Sequence, residues 1–207
     1  MRKPPGDPPK TLSFPAGEVI LYPGATSPQD PVFRVVEGLV RIQHVDEEGG
    51  ALTLRFVRPG EFFGEEALAG LERRHFAEAM CDTRVEVIPP GEVDHRELTA
   101  SLARGLALSY QAIRSLSEQR LKNRIAAVLL ELSDSPLASR DSRGNPVIRL
   151  THDDIAAAVG SVRETVTKVM GELAREGVVQ TGYARVVILR PVTLAVLAGE
   201  RGGGRKR

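Results

Sequence analysis

THDDIAAAVGSVRETVTKVM, residues Thr151–Met170, holds two short helical patterns joined at a glycine. Thr151 is a natural N-cap, and Asp153 and Asp154 put negative charge where the helix dipole favours it. Ile155, Val159, Val166, Val169 and Leu173 supply apolar positions for two helices, with the small Ala156 where they would cross. Gly160 falls where the turn between them requires a positive φ. This is the spacing of a helix-turn-helix, and VVQTGYARVVILRP behind it reads as a hairpin wing turning at TGYA. With Ser161 as cap of the second helix, Arg163, Glu164 and Lys168 occupy its first two turns on the face away from the core. Arginine can donate two hydrogen bonds to guanine, and glutamate can accept one from cytosine. A carboxylate on a surface that meets phosphate makes sense mainly as a base reader. Thr151, Ser161 and Thr165 are the expected phosphate contacts, which set register without reading sequence. A solvated helix face would explain the charges alone, but not the glycine, the apolar set and the wing together.

Charge patterning along the 207 residues agrees. The net charge is +1, yet residues 1–119 balance to −5 and residues 120–207 to +6. The asymmetry points to a polyanion for the C-terminal half, although RGGGRKR at its end contributes four of the cations. The single cysteine, Cys81, excludes a disulfide framework and a one-chain iron–sulfur site. MRKPPGDPPK lacks the apolar core of a secretory signal, and no apolar run has membrane-spanning length, so a cytoplasmic protein without membrane contact is expected. Scarce Asn, Gln, Met and Cys with abundant proline suggest a thermophilic source.

Upstream the texture is different. From Thr11 to about Pro90, β-branched segments such as VFRVVEG and LVRIQHV alternate with glycine turns, the rhythm of an all-β roll. From Glu92 to Ser133 there is no proline and one glycine. Leu98, Leu102, Leu106, Ser109, Ile113 and Leu116 recur at three- and four-residue steps, marking a long helix whose narrow stripe suits pairing with a second copy. A break near residues 120–123 precedes a second helix, RIAAVLLELSD, and SPLASRDSRGNP reads as a polar loop. The expected organisation is α+β: a disordered lead (1–10), a β-roll (11–91), a dimerisation helix (92–120), a winged helix-turn-helix (121–200) and a basic tail (201–207).

On these motifs, above all LTHDDIAAAVGSVRETVTKVMGELAREGVV, the chain resembles the Crp/Fnr family of bacterial transcription regulators. The resemblance implies a cyclic-nucleotide-binding type of β-roll and a homodimer on a palindromic, TGTGA-like double-stranded site. It also implies recruitment of RNA polymerase, with SPLASRDSRGNP on the surface that activators of the family present to it. GEFFGEEALAGLERRHFAEA lies where the family holds a cyclic phosphate. Gly64, Glu65 and Arg73 match that cassette, but Arg74 stands where the cyclic-AMP branch has serine. Ser109 and Tyr110 fall where that branch offers two small hydroxyl residues, and the tyrosine is expected to fill base space. The expectation is an activator that requires no cofactor, with cyclic nucleotide binding the disfavoured alternative. No metal site is expected: His44, His75, His95 and His152 are scattered singly, which also argues against a cupin-like enzyme.

Overall fold

The computed structural model describes residues 10–118 and 120–199; the basic tail, and the proline-rich lead apart from Lys10, lie outside them. Among these residues the chain divides into two compact units. One runs up to Val45 and includes Leu54–Ser109; the other comprises Asp46–Thr53 and the residues from Tyr110 onward.

The first unit is built on two four-stranded antiparallel sheets. One has the order β1-β8-β3-β6, from Thr11–Phe14, Thr83–Ile88, Val32–Glu37 and Phe62–Phe63. The other is β2-β7-β4-β5, from Val19–Leu21, Phe76–Ala79, Val40–Val45 and Ala51–Val57, the first three residues of β5 falling in the second unit. The β-branched alternation read from the sequence places Val35, Val40, Val57, Ala77 and Val85 in one buried cluster with Phe33 and Phe63. The two phenylalanine rings stack at 5.2 Å. Each valine or phenylalanine so buried contributes roughly 1.5–3 kcal/mol.

Helix α1, His95–Glu118, starts where Asp94 accepts from the backbone N–H groups of Arg96 (2.8 Å) and Glu97 (3.0 Å). Its first turns belong to the β-roll. Leu98 is buried with Val32, Phe62, Ile88 and Val93, and Ser101 Oγ accepts from Phe62 N at 3.1 Å. Leu98 is therefore an anchor within the unit rather than part of an intermolecular seam. The unit boundary falls inside α1, not at either of its ends. No helix among the described residues is long and apolar enough to cross a membrane.

In the second unit, Arg120 is extended and helix α2 begins at Leu121, running to Ser133. The segment expected as a loop contains a strand: β9 (Ala138–Arg140) pairs with β10 (Pro146–Ile148). Asp141 closes that turn by accepting from Arg143 N (2.9 Å) and Asn145 N (2.8 Å). Helices α3 (His152–Val159) and α4 (Arg163–Arg175) follow, then β11 (Val179–Gly182), β12 (Arg185–Ile188) and α5 (Pro191–Leu197). The sheet order is β11-β12-β10-β9. Ile125, Leu129, Leu132, Ile148, Ile155, Val166, Met170, Leu173, Ile188 and Leu194 are completely buried, giving this unit its own core.

Candidate nucleic-acid interface and the β-roll cavity

Thr151 caps α3 in a reciprocal box. Its Oγ1 accepts from Asp154 N (3.1 Å), and Thr151 N donates to Asp154 Oδ2 (2.9 Å). The helix ends at Gly160, whose φ of 59° lies in the left-handed region. Both Gly160 N and Ser161 N donate to Ala156 O, so the backbone at 160–161 is used in closing α3. The N-cap of α4 moves on to Val162, which provides no side-chain cap. Ser161 is thus one position outside the cap expected for it.

Arg163, Glu164 and Thr165 form the first turn of α4, with Lys168 in the second, and all four are exposed. The opposite face, Val166, Met170 and Leu173, is completely buried. The helix therefore presents Arg163, Glu164 and Lys168 outward above a buried apolar face. Arg163 Nη1 lies 3.4 Å from Asp153 Oδ2 on α3, and His152 Nδ1 lies 2.9 Å from Thr167 Oγ1. The wing is β11–β12, in register from Val179↔Ile188 to Gly182↔Arg185, with Tyr183 and Ala184 as its loop. Tyr183 is fully exposed, and Ala184 takes a φ of 46°.

In the β-roll, a cavity of about 190 Å³ brings together Gly64, Glu65, Arg73 and Ser109 from the expected pocket set. It also includes Arg55, Glu66 and His75, which the sequence reading did not assign. Arg74 is exposed and is not among the lining residues; Tyr110 is 63% exposed. The tyrosine thus stands out from the surface of α1 rather than filling a pocket, a correction to its expected role. Arg55 Nη2, and neither Arg73 nor Arg74, pairs with Glu65 Oε1, at 2.7 Å. Burial pushes the Glu65 carboxyl above its ordinary value, and the Arg55 charge offsets only part of that. Burial, then the charge of neighbouring His44, pulls the His75 imidazole down. Glu65 Oε2, Glu66 Oε2, Arg73 Nε and His75 Nδ1 are buried without a hydrogen-bond partner.

Cys81 is half-buried in the turn between β7 and β8, and burial raises its thiol pKa, so it lacks the thiolate character of a reactive cysteine. Among the described residues no three His, Cys, Asp or Glu side chains are grouped as metal ligands.

Comparison with known proteins follows this geometry closely. The Crp-like helix-turn-helix domain matches residues 123–197, and the cyclic nucleotide-binding domain matches residues 11–95. The crystal structure of a transcriptional regulator of the CRP/FNR family from Thermus thermophilus superposes with a TM-score of 0.88 at 56% identity. It covers 93% of this chain and 100% of that one. The chain belongs to the Crp/Fnr family. The transcriptional regulator SdrP of Thermus thermophilus is 57% identical over 198 residues, 95% of this chain and 98% of that protein. LdrP of the same species is 41% identical over 83% of this chain and 87% of its own length. As a Crp/Fnr member, the protein is a transcriptional regulator with a DNA-binding helix-turn-helix, not an enzyme. The relatives' source agrees with the thermophilic composition.

Arg163, Glu164 and Lys168 were legible as one exposed set because they lie within six residues of one helix. Asp153, His152 and Thr167 were missed as a group, since their pairing depends on how α3 crosses α4. Arg55, Glu66 and His75 come from three separate segments of the roll, and no local spacing joins them.

Proposed function

We propose that this regulator binds palindromic promoter DNA as a homodimer in the cytoplasm and activates transcription through RNA polymerase without a cyclic nucleotide. The observation that carries the reading is α4 itself: Arg163, Glu164 and Lys168 exposed in its first two turns, above a completely buried Val166, Met170 and Leu173. In the major groove, Arg163 donates to guanine O6 and N7, and Glu164 accepts from cytosine N4. Glu164 also favours the positive end of the helix dipole, so the same side chain is stable before DNA arrives. Thr165, Thr151 and Ser161 bind phosphate; the Thr151 hydroxyl turns its proton from Asp154 Oδ2 to the phosphate and still accepts from Asp154 N. A second copy is recruited through Leu102, Leu106, Ile113 and Leu116, all exposed along α1. The β9–β10 hairpin, with the exposed Arg140 and Arg143, offers a rigid surface to polymerase.

Effector independence is supported by two features of the β-roll. A cavity of about 190 Å³ is smaller than the ~300–1,000 Å³ of ordinary ligand pockets. The carboxylate that would receive a ribose hydroxyl, Glu65, is already held by Arg55. A cyclic nucleotide therefore does not fit these residues as they stand. The four unpartnered polar atoms favour one second reading, a polar effector smaller than a nucleotide. Transcription in vitro from a palindromic promoter, with and without cyclic AMP, tests the proposal. Equal, protein-dependent transcript in both arms supports it; transcript only with cyclic AMP refutes it.

A further inference from the structure

Asp153 sits in the first turn of α3, where its charge gains modestly from the helix dipole but closes no cap. Asp154, not Asp153, makes the capping box with Thr151. The α3–α4 crossing is already fixed by Ile155, Ala156, Val159, Val166 and Met170, all buried. An ion pair as open as Asp153–Arg163, with side chains 64% and 65% exposed, adds little to folding. Yet a carboxylate at the start of α3 is costly to a DNA-binding surface, because the first helix of the motif crosses the phosphate backbone. Its partner is the arginine placed to read a base. A parallel link lies one turn along the same face of α4, where His152 Nδ1 meets Thr167 Oγ1 at 2.9 Å. The first turn of α3 thus touches the reading face of α4 at positions 163 and 167.

We propose that Asp153 is a specificity-determining positioning residue: its carboxylate orients the Arg163 guanidinium for guanine and opposes any duplex that leaves that guanidinium unsatisfied. This rests on the reading of Arg163 as a base contact. A guanidinium has five N–H donors in a planar fork, so Nη1 can stay on Asp153 while the remaining edge faces guanine O6 and N7. On the cognate site the carboxylate, the guanidinium and the base form one charge-assisted chain, and Asp153 remains neutralised beside the phosphates. On other sequences the guanidinium finds no base acceptor and turns to phosphate. Asp153 then faces the polyanion alone. Attraction to the right base and repulsion from the wrong duplex both widen the same gap.

The test uses the full-length protein with two duplexes, a palindrome it enriches from random DNA and a scramble of equal length and composition. Asp153→Asn is expected to bind the scramble severalfold more tightly and the palindrome no better. The specificity ratio falls about tenfold, and preference flattens at the base pair read by Arg163. The salt dependence on the scramble steepens by about one phosphate contact. Asp153→Glu restores the preference. The inference is overturned if Asp153→Asn changes both affinities by one common factor with base preference intact. Arg163→Ala separates the two readings. If it leaves base preference unchanged, the base-reading assignment itself fails. If it flattens the preference while Asp153→Asn does not, only the role of Asp153 fails.

Discussion

Arg163 and Thr165 are two residues apart in the first turn of α4, and their chemistry assigns them different tasks. Replacing Arg163 with Ala should cost ~1–3 kcal/mol on the cognate site and relax preference at one base pair. Thr165→Ala should weaken binding to all sequences about equally, because a phosphate contact carries no sequence information. Competition binding against single-base variants of the palindrome distinguishes the two patterns; intact specificity in Arg163→Ala would place the reading face elsewhere. In the β-roll, His75 makes a separate prediction. Its folded pKa lies below the ordinary imidazole value, through burial first and then through His44 and Arg74, with Glu66 acting in the opposite sense. The unfolded chain therefore binds more protons as pH falls. The contribution of His75 to stability is complete above about pH 6.5 and is lost as pH drops through the folded value. Thermal melts from about pH 7.5 to 5.5 should show a smaller acid-side loss for His75→Gln than for the parent; parallel curves would remove His75 from the account. The arginine was legible from its spacing behind Gly160. The histidine was not, because its surroundings are assembled from β4, the turn around Glu66 and β7.

Helix α1 shows how far periodicity carries at the scale of an element. The stripe correctly indicates one helix face, but it cannot tell which leucines are satisfied inside the subunit. Leu98 is 6% exposed within the β-roll core, whereas Ile113 is 64% exposed. The seam available to a second copy is accordingly shorter than the sequence stripe, spanning Leu102 to Leu116. Asp at Leu102 or at Ile113 would place an unpaired charge in that seam and should shift the protein towards monomer, with loss of palindrome binding. Light scattering that finds intact dimers for both variants would relocate the interface. The wing is a second case. Its hairpin was legible from two β-branched runs, but the left-handed residue of its loop is Ala184 rather than the neighbouring glycine. An L-residue held there costs roughly 1–2 kcal/mol, part of which glycine regains and part of which it loses to unfolded-chain entropy. Ala184→Gly should therefore raise stability by up to about 1 kcal/mol, readable as a higher melting temperature; a lower one would show that the loop is not strained. Strand β9 was not legible at all, since ASR is three residues long and only its pairing with β10 makes it a strand.

For the whole molecule, the change of texture near residue 92 marks where strands give way to helix, whereas the boundary between the two compact units falls inside α1, at Ser109 and Tyr110. Four of the cations behind the charge asymmetry belong to the tail outside the described residues. The functional coupling of the two units is where sequence pattern runs out. Tyr110 was expected to occupy effector space, yet it is exposed; the case for effector independence rests on cavity size and on the Arg55–Glu65 pair. Ligand control of such a regulator requires different affinity for two protein states, and a ligand that fits neither state shifts nothing. The most direct measurement is a titration of the enriched palindrome with purified protein, at fixed salt, with and without saturating cyclic AMP. The two dissociation constants should agree within about twofold; a tenfold or greater gain in the presence of cyclic AMP, a coupling of about 1.4 kcal/mol, would contradict the account.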